Sequence, residues 1–520
     1  MLFRSKKIQS LSLELKQFFI ANFEVFILFL LFCIAGTLIG IYRYNNYLDG
    51  FDFTVFREAI WKYAHFMWPD SSIRGLNHVE GDHFHPIIIL LAPIYFLFGS
   101  PYTLIFIQAF FVALSIFPVY LFAKRKLITR LSALLATVLY ILSAGLQWML
   151  FFDFHEILFA VPLIAWSIYF IDKRTWTPLV VTLLLLAVTK EEMYIYIFTV
   201  GVLLFVMRWN VKLGAITSAF GLLGFIFLNM VIMPLLAGHR SFGYWSYTTY
   251  GSSLGNALIN SLRDPLKTAT NIIRDFTTPD ARLTLAMWLK PLLYFIPVIS
   301  PYFLLAIPLI LTKFLSDFQS YSVHTFHYGG PLAPIFVMAF IDGLSRLATL
   351  AHRFMKFPQS RIIDTYIPLV LVLGVLISFN ITTRFSSPFM FIRDGSIQKS
   401  MSASLKDESS INAIIGKEAS LLTPDTVAAH FADRKKIHAL LPYEKWDNPT
   451  DKIINPVRPT AVDYVLFNTN LPPPDYALAE QRGQAYVYDL YHRKLLSIGF
   501  TVVYENPQSG WRLYENSRLR

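Results

Sequence analysis

Charge is scarce in this chain of 520 residues. Asp, Glu, Lys and Arg supply 15% of it, against roughly 25% in soluble domains. That deficit excludes a protein that meets water along its whole length. Cysteine is scarcer still. The single one, Cys33, falls in the first apolar run, so no internal disulfide can staple the rest of the chain. The C-terminal quarter has no Walker loop, no glycine-rich dinucleotide turn and no zinc-ligand spacing. No internal repeat or low-complexity tract is evident.

What the chain has instead is apolar length. Hydrophobic residues make up 55% and aromatic residues 16%, with a mean hydropathy of +0.49. Runs of about 20 apolar residues recur between positions 24 and 380, each long enough for a hydrocarbon core of roughly 30 Å. From 381 to 520 charges and turn residues return at ordinary frequency. The expected organisation is an all-α polytopic membrane domain over 1–380 and a small soluble α/β domain over 381–520. In the latter, 419–422 and 463–467 read as strands and 476–498 as a helix. Residues 501–504 should pair with 511–514 across Asn506-Pro507-Gln508-Ser509-Gly510, a hairpin signal.

The formal charge of +11 sits largely at the ends of apolar runs, where Lys and Arg set orientation; nucleic acid is not the expected partner. Five basic turns suit the cytoplasm: the N-terminus up to Lys16, Lys124 to Arg130, Lys173-Arg174, Arg208 with Lys212, and 346–361. Placing all five there gives about eleven transmembrane helices, over 24–42, 101–123, 131–150, 155–171, 177–189, 193–207, 213–233, 283–298, 301–314, 331–350 and 362–380. The start, MLFRSKKIQS, is basic but is followed by no small-residue cleavage site, so the first run reads as a retained anchor. The N-terminus is then cytoplasmic and the C-terminal domain extracytoplasmic in a multi-pass cell-membrane protein. The segment 86–98 is apolar, but as a helix it rises only about 20 Å. It is expected to be re-entrant or interfacial.

On this map almost every unusual polar cluster of the membrane half faces outward. A helix over 53–68 carries Thr54, Glu58, Lys62 and His65 on one face and suits the membrane interface. Asp52 before it either caps that helix or serves as a general base for an acceptor hydroxyl. Asp82, His83 and His85 can bind a divalent cation or phosphate, or simply cap the apolar segment that follows. Asp153, His155 and Glu156 join two spans with almost no loop, a costly place for charge unless a wet cavity or a partner meets it. Lys190 and Glu191 interrupt an apolar stretch over 177–207 that would be roughly 46 Å long as one helix. Lys190 there either pairs with Glu191 or holds an anionic lipid phosphate. His327 and Tyr328 close another outward turn, beside His324. The long loop 234–282 is aromatic and hydroxyl-rich, with an amphipathic helix expected around 256–276, and reads as a substrate lid or an exposed connection.

Several of these passages together resemble a family of multi-pass prokaryotic membrane proteins of unknown function. They are Gly50-Phe51-Asp52-Phe53-Thr54-Val55-Phe56, Gly81-Asp82-His83-Phe84-His85-Pro86, Asp153-Phe154-His155-Glu156, Lys190-Glu191-Glu192, and His327-Tyr328 before Pro331. The passages over 427–439 and 461–467 share the resemblance. That family is in turn similar to the GT-C membrane glycosyltransferases. The resemblance implies a GT-C-like transmembrane domain and a sugar donor carried on polyprenyl phosphate. By it Asp52 matches the catalytic acid of the first outer loop, and Asp153 the acid after the third span. Lys190 suits the carrier phosphate, and His83, His85, His155, Glu156, Glu191, His327 and Tyr328 complete a substrate-binding set. One departure stands out: Phe53 follows Asp52 where many GT-C first loops have a second acid.

The function expected is transfer of a hexose or pentose from a polyprenyl-phosphate carrier to a glycan, lipid or protein acceptor at the outer face. A transporter or flippase of a lipid-linked glycan is the alternative, as is a non-catalytic envelope assembly protein. A transporter needs polar residues near mid-bilayer and on both sides, whereas here they crowd one face.

Overall fold

The structure, a computed structural model, describes residues 22–238, 245–385, 402–447 and 457–518, with Gln17 and Ile20 besides. It is mostly helical. Among the described residues five helices are long and apolar enough to cross a membrane: Phe23–Asn45, Pro101–Leu127, Val211–Leu236, His327–Phe354 and Gln359–Phe385. Arg130–Ile141 and Ala144–Leu150, bent by 53° at a short break, make a sixth if they form one span. The expected eleven are therefore not reached by length and composition. Trp176–Ala187, Met193–Val206 and Pro301–Phe314 are apolar but short. The stretch expected to span over 283–298 breaks up after Pro279–Leu289 into single turns at Lys290–Leu292 and Pro297–Ile299. Pro291 and Pro297 lack the N–H that would continue the ladder, and Leu293 and Tyr294 take positive φ.

The segment Pro86–Leu97 is a tight turn followed by a short helix. Its start donates from Ile87 N to the Val188 carbonyl (2.9 Å), and near its end the Tyr95 hydroxyl reaches Asp433 of the C-terminal domain (2.9 Å). The amphipathic stretch over 256–276 is not one helix but two, Leu254–Arg263 and Pro265–Thr277, neither with a buried residue. Asp264 divides them by accepting from Lys267 N (2.9 Å) as a cap.

The bundle centre is apolar. Residues 335 to 341 of the helix starting at His327 are all buried hydrophobics. Charge is not confined to one end, however, which corrects the expectation that it crowds a single face. At the far end Lys126 pairs with Asp172 (2.5 Å) and Asp342 (2.9 Å), and Arg346 also pairs with Asp342 (2.7 Å). These groups satisfy one another and tie four chain segments together, with Ser300 donating to Asp342 (2.8 Å).

The C-terminal domain holds one sheet in the order β2-β1-β3-β5-β4. The strands are β1 (Ser420–Thr423), β2 (Lys436–Ala439), β3 (Tyr464–Asn468), β4 (Phe500–Asn506) and β5 (Trp511–Asn516). The first three are parallel and the last two form the expected antiparallel hairpin. β2 was not foreseen. Gly483, at φ 90°, splits the expected helix into Tyr476–Arg482 and Gln484–Ser497.

This domain is docked, and the docking explains the first outer loop. The loop helix Phe51–Ala64 is not an interfacial helix with a wet face, because it is buried on nearly all sides. Three of its charges are buried in pairs: Glu58 with Lys62 (2.8 Å), and Arg57 with Asp433 (2.8 Å). His430 stacks between the rings of Tyr44 and Tyr47, at 3.9 and 4.0 Å. Ser72 satisfies both the N–H and the carbonyl of Ile437 on edge strand β2.

Candidate active site

The loop helix brings Asp52 to the same end of the bundle as the turns at 82–85, 153–156, 190–192 and 327–328. The order of burial is informative. Lys190, Glu156, His155 and His327 form a buried floor, exposed by 7%, 0%, 5% and 3%. Half-buried Asp52, Asp82, His83, Phe84, Tyr321 and Tyr328 stand around it.

The floor is one connected polar set. Glu156 takes Lys190 Nζ on one oxygen at 2.9 Å and His155 Nδ1 on the other at 2.5 Å. The first is an ion pair; the second is a close contact with a ring whose pKa burial lowers to about 4, and neither has hydrogen-bond alignment. His155 stacks on His327 at 3.9 Å between ring centroids, and neither ring nitrogen of His327 has a partner among the described residues. Buried polar atoms normally have partners, which makes His327 unusual among the described residues. Lys190 therefore pairs with Glu156, not with the adjacent Glu191, which turns to His83 Nδ1 (2.7 Å) and Phe84 N (3.0 Å).

Asp52 is the exception to this pairing. Among the described residues no side chain or backbone group hydrogen-bonds its carboxylate. Burial pushes its carboxyl up, as do the nearby charges of Asp153 and Glu156, against the opposing pull of Lys190. The result is about 7. Asp52 does not cap its own helix; that contact comes from Asp153, whose Oδ2 accepts from Gly50 N (2.9 Å) and Phe53 N (3.4 Å).

The motif Asp82, His83, His85 does not gather as a metal set. Each member turns away to its own partner. Asp82 pairs with Arg74, His83 with Glu191 and His85 with Glu80 at 3.4 Å. Among the described residues no three His, Cys, Asp or Glu side chains converge to hold an ion. His85 is buried, which alone would lower its pKa, yet Glu80 keeps it up at about 9. It is an internal ion-pair member within the field of Glu156.

Two residues were missed in the sequence. Lys313 Nζ lies 3.1 Å from Glu192 and 5.0 Å above the Tyr328 ring, and is only 5% exposed. A lysine inside the apolar run Ile307–Phe314 was the available signal. Arg43, in the last turn of the first span, binds both Asp49 and Asp153 at 3.0 Å; as a basic residue at a helix end it resembled every other orientation charge.

The chain is a helical membrane bundle with a polar floor at one end and a small α/β domain packed against its first loop helix. The chain belongs to the family described as predicted membrane protein (DUF2079), which matches residues 43–502. Its fold is similar to that of ArnT from Cupriavidus metallidurans bound to undecaprenyl phosphate. Identity is 12%, over 94% of this chain and 98% of that one, with a TM-score of 0.54. The apo state of the same protein aligns at 13% identity over 95% and 98%, with a TM-score of 0.51. No curated protein matches the sequence.

Proposed function

We propose that the chain is a membrane glycosyltransferase, moving a sugar from a polyprenyl-phosphate carrier to an acceptor hydroxyl at the extracytoplasmic face. One observation carries this reading: Asp52 is an unpaired carboxylate within the field of a buried, carboxylate-held Lys190. A general base must be free and near its working pKa, and a phosphate site needs a fixed cation. Both conditions meet on one wall. The similarity to ArnT, solved with undecaprenyl phosphate, supports the carrier.

In the reaction the acceptor oxygen attacks the anomeric carbon while Asp52 takes its proton. The bond from that carbon to the carrier phosphate breaks, and its electrons leave with the phosphate. Lys190 holds the departing charge, with Lys313 a second cation on the Tyr328 side. His83, Glu191, His155 and His327 shape the wall, and Glu156 keeps Lys190 in place. Residues 335 to 341 of the helix starting at His327 are all buried hydrophobics, which lends the transporter reading no support at that helix.

The test is release of free polyprenyl phosphate from a polyprenyl-phosphate sugar by the full chain in lipid. Asp52→Asn should lose on the order of a hundredfold or more in rate. Undiminished turnover in that variant would remove Asp52 as the base.

A further inference from the structure

Asp52 and Asp153 approach the same end of the loop helix, and both match acids of the family pattern. They are held in opposite ways. Asp52 makes no polar contact among the described residues, whereas Asp153 is committed on both oxygens. Its Oδ1 lies 3.0 Å from Arg43 Nη2, and its Oδ2 accepts from Gly50 N and Phe53 N at 2.9 and 3.4 Å.

Those two amides are the N-cap and third position of the helix. The first amides of a helix have no partner within it, and a side chain at the N-cap usually supplies one. Gly50 has none to offer. The acceptor comes instead from 103 positions further along the chain.

Arg43 anchors this arrangement. It pairs with Asp49 at 3.0 Å, donates to the Leu48 carbonyl at 2.8 Å and also donates to the Phe151 carbonyl. Its guanidinium lies 4.7 Å from the centre of the Phe151 ring. The end of the first span, the connector to the loop helix and the turn at 151–154 therefore meet at one node.

We propose that Asp153 is a positioning residue: a cap supplied from outside the loop helix that fixes its first turn and so aims Asp52, without itself touching substrate. The proposal rests on the reading of Asp52 as the base. An aspartate suits the task because a negative charge is favourable at a helix N-terminus. It also acts on Asp52 directly, being one of the charges facing that carboxylate together with Glu156, Lys190 and Asp82.

The two effects separate by substitution. Asp153→Asn keeps an oxygen for the two amides and removes the charge; Asp153→Ala removes both. The full chain in lipid nanodiscs would be followed by amide hydrogen exchange over 50–56. Carbodiimide labelling of Asp52 through the neutral pH range would be read alongside it. In Asp153→Ala, exchange over the first turn should quicken on the order of tenfold. In Asp153→Asn it should stay near that of the parent, while the labelling midpoint of Asp52 moves to lower pH and partial sugar transfer survives.

The proposal is overturned if Asp153→Ala exchanges like the parent, or if the Asp52 midpoint is unmoved in Asp153→Asn. It is equally overturned if Asp153→Asn, normal in exchange, is as inactive as Asp52→Asn, since Asp153 would then be a catalytic acid. Undecaprenyl phosphate binding by the parent is measured in parallel. Absence of binding would remove the proposed function and leave the capping result standing.

Discussion

At the scale of single residues, Asp52 stands out: among the described residues nothing hydrogen-bonds its carboxylate, whereas the nearby Asp153 and Glu156 are held. Burial and the charges of Asp153 and Glu156 raise Asp52 from 3.8 to about 7, and the direction has two consequences. A base works when deprotonated, so the transfer rate should climb as pH rises through about 7 and level off above it. Stability runs the other way. The folded state binds the Asp52 proton more tightly than the unfolded state does, so ionisation penalises the fold increasingly from about 3.8 up to about 7. Asp52→Asn should therefore melt higher than the parent at alkaline pH, with the gap closing in acid. Melting curves across that range check it, and a gap that widens in acid would show the sign to be wrong. Asp52 was legible from its position before an apolar helix in an outer loop. Its freedom was not, because the alternative cap, Asp153, lies in another loop and only the fold brings it close.

At the scale of elements, the site depends on close backbone approach. A Cβ on Gly145 would sit 2.4 Å from the carbonyl oxygen of Gly329 and 2.8 Å from its carbon. These are backbone atoms and cannot rotate away. Gly329 follows Tyr328 and His327 directly, so Gly145→Ala should push that turn off the floor. It should cost about 1–3 kcal/mol of stability and weaken carrier binding. A thermal melt together with a carrier-binding isotherm reads both, and a variant unchanged in each would show that the turn is not held by this contact. The C-terminal hairpin was legible from local pattern alone, and so was the amphipathic character of 256–276, but not its division in two at Asp264. The loop helix was misjudged, since charges that pair across domains look the same in sequence as charges facing water. Arg57 meets Asp433 of the C-terminal domain, and the i,i+4 pair of Glu58 and Lys62 is buried within the loop helix. β2 escaped notice because a four-residue strand carries little periodicity.

At the scale of the whole molecule, we propose the orientation that the five basic turns suggest, with the C-terminal domain outside the cytoplasm. A reporter active only in the cytoplasm, fused at the C-terminus, should stay silent; a strong signal would invert the map. The change of composition after position 380 was plain in the sequence. The count of eleven spans is not confirmed, because several of the apolar helices among the described residues are too short to cross by length and composition alone. The central claim is that the floor under Asp52 receives a polyprenyl phosphate. It is tested most directly by equilibrium binding of undecaprenyl phosphate to the purified chain in lipid. The parent should bind saturably and Asp52→Asn about as well. The double variant Lys190→Met/Glu156→Gln, which removes both charges of the buried pair together, should bind at least roughly tenfold more weakly. Equal binding by all three proteins, or no saturable binding by any, would contradict the account.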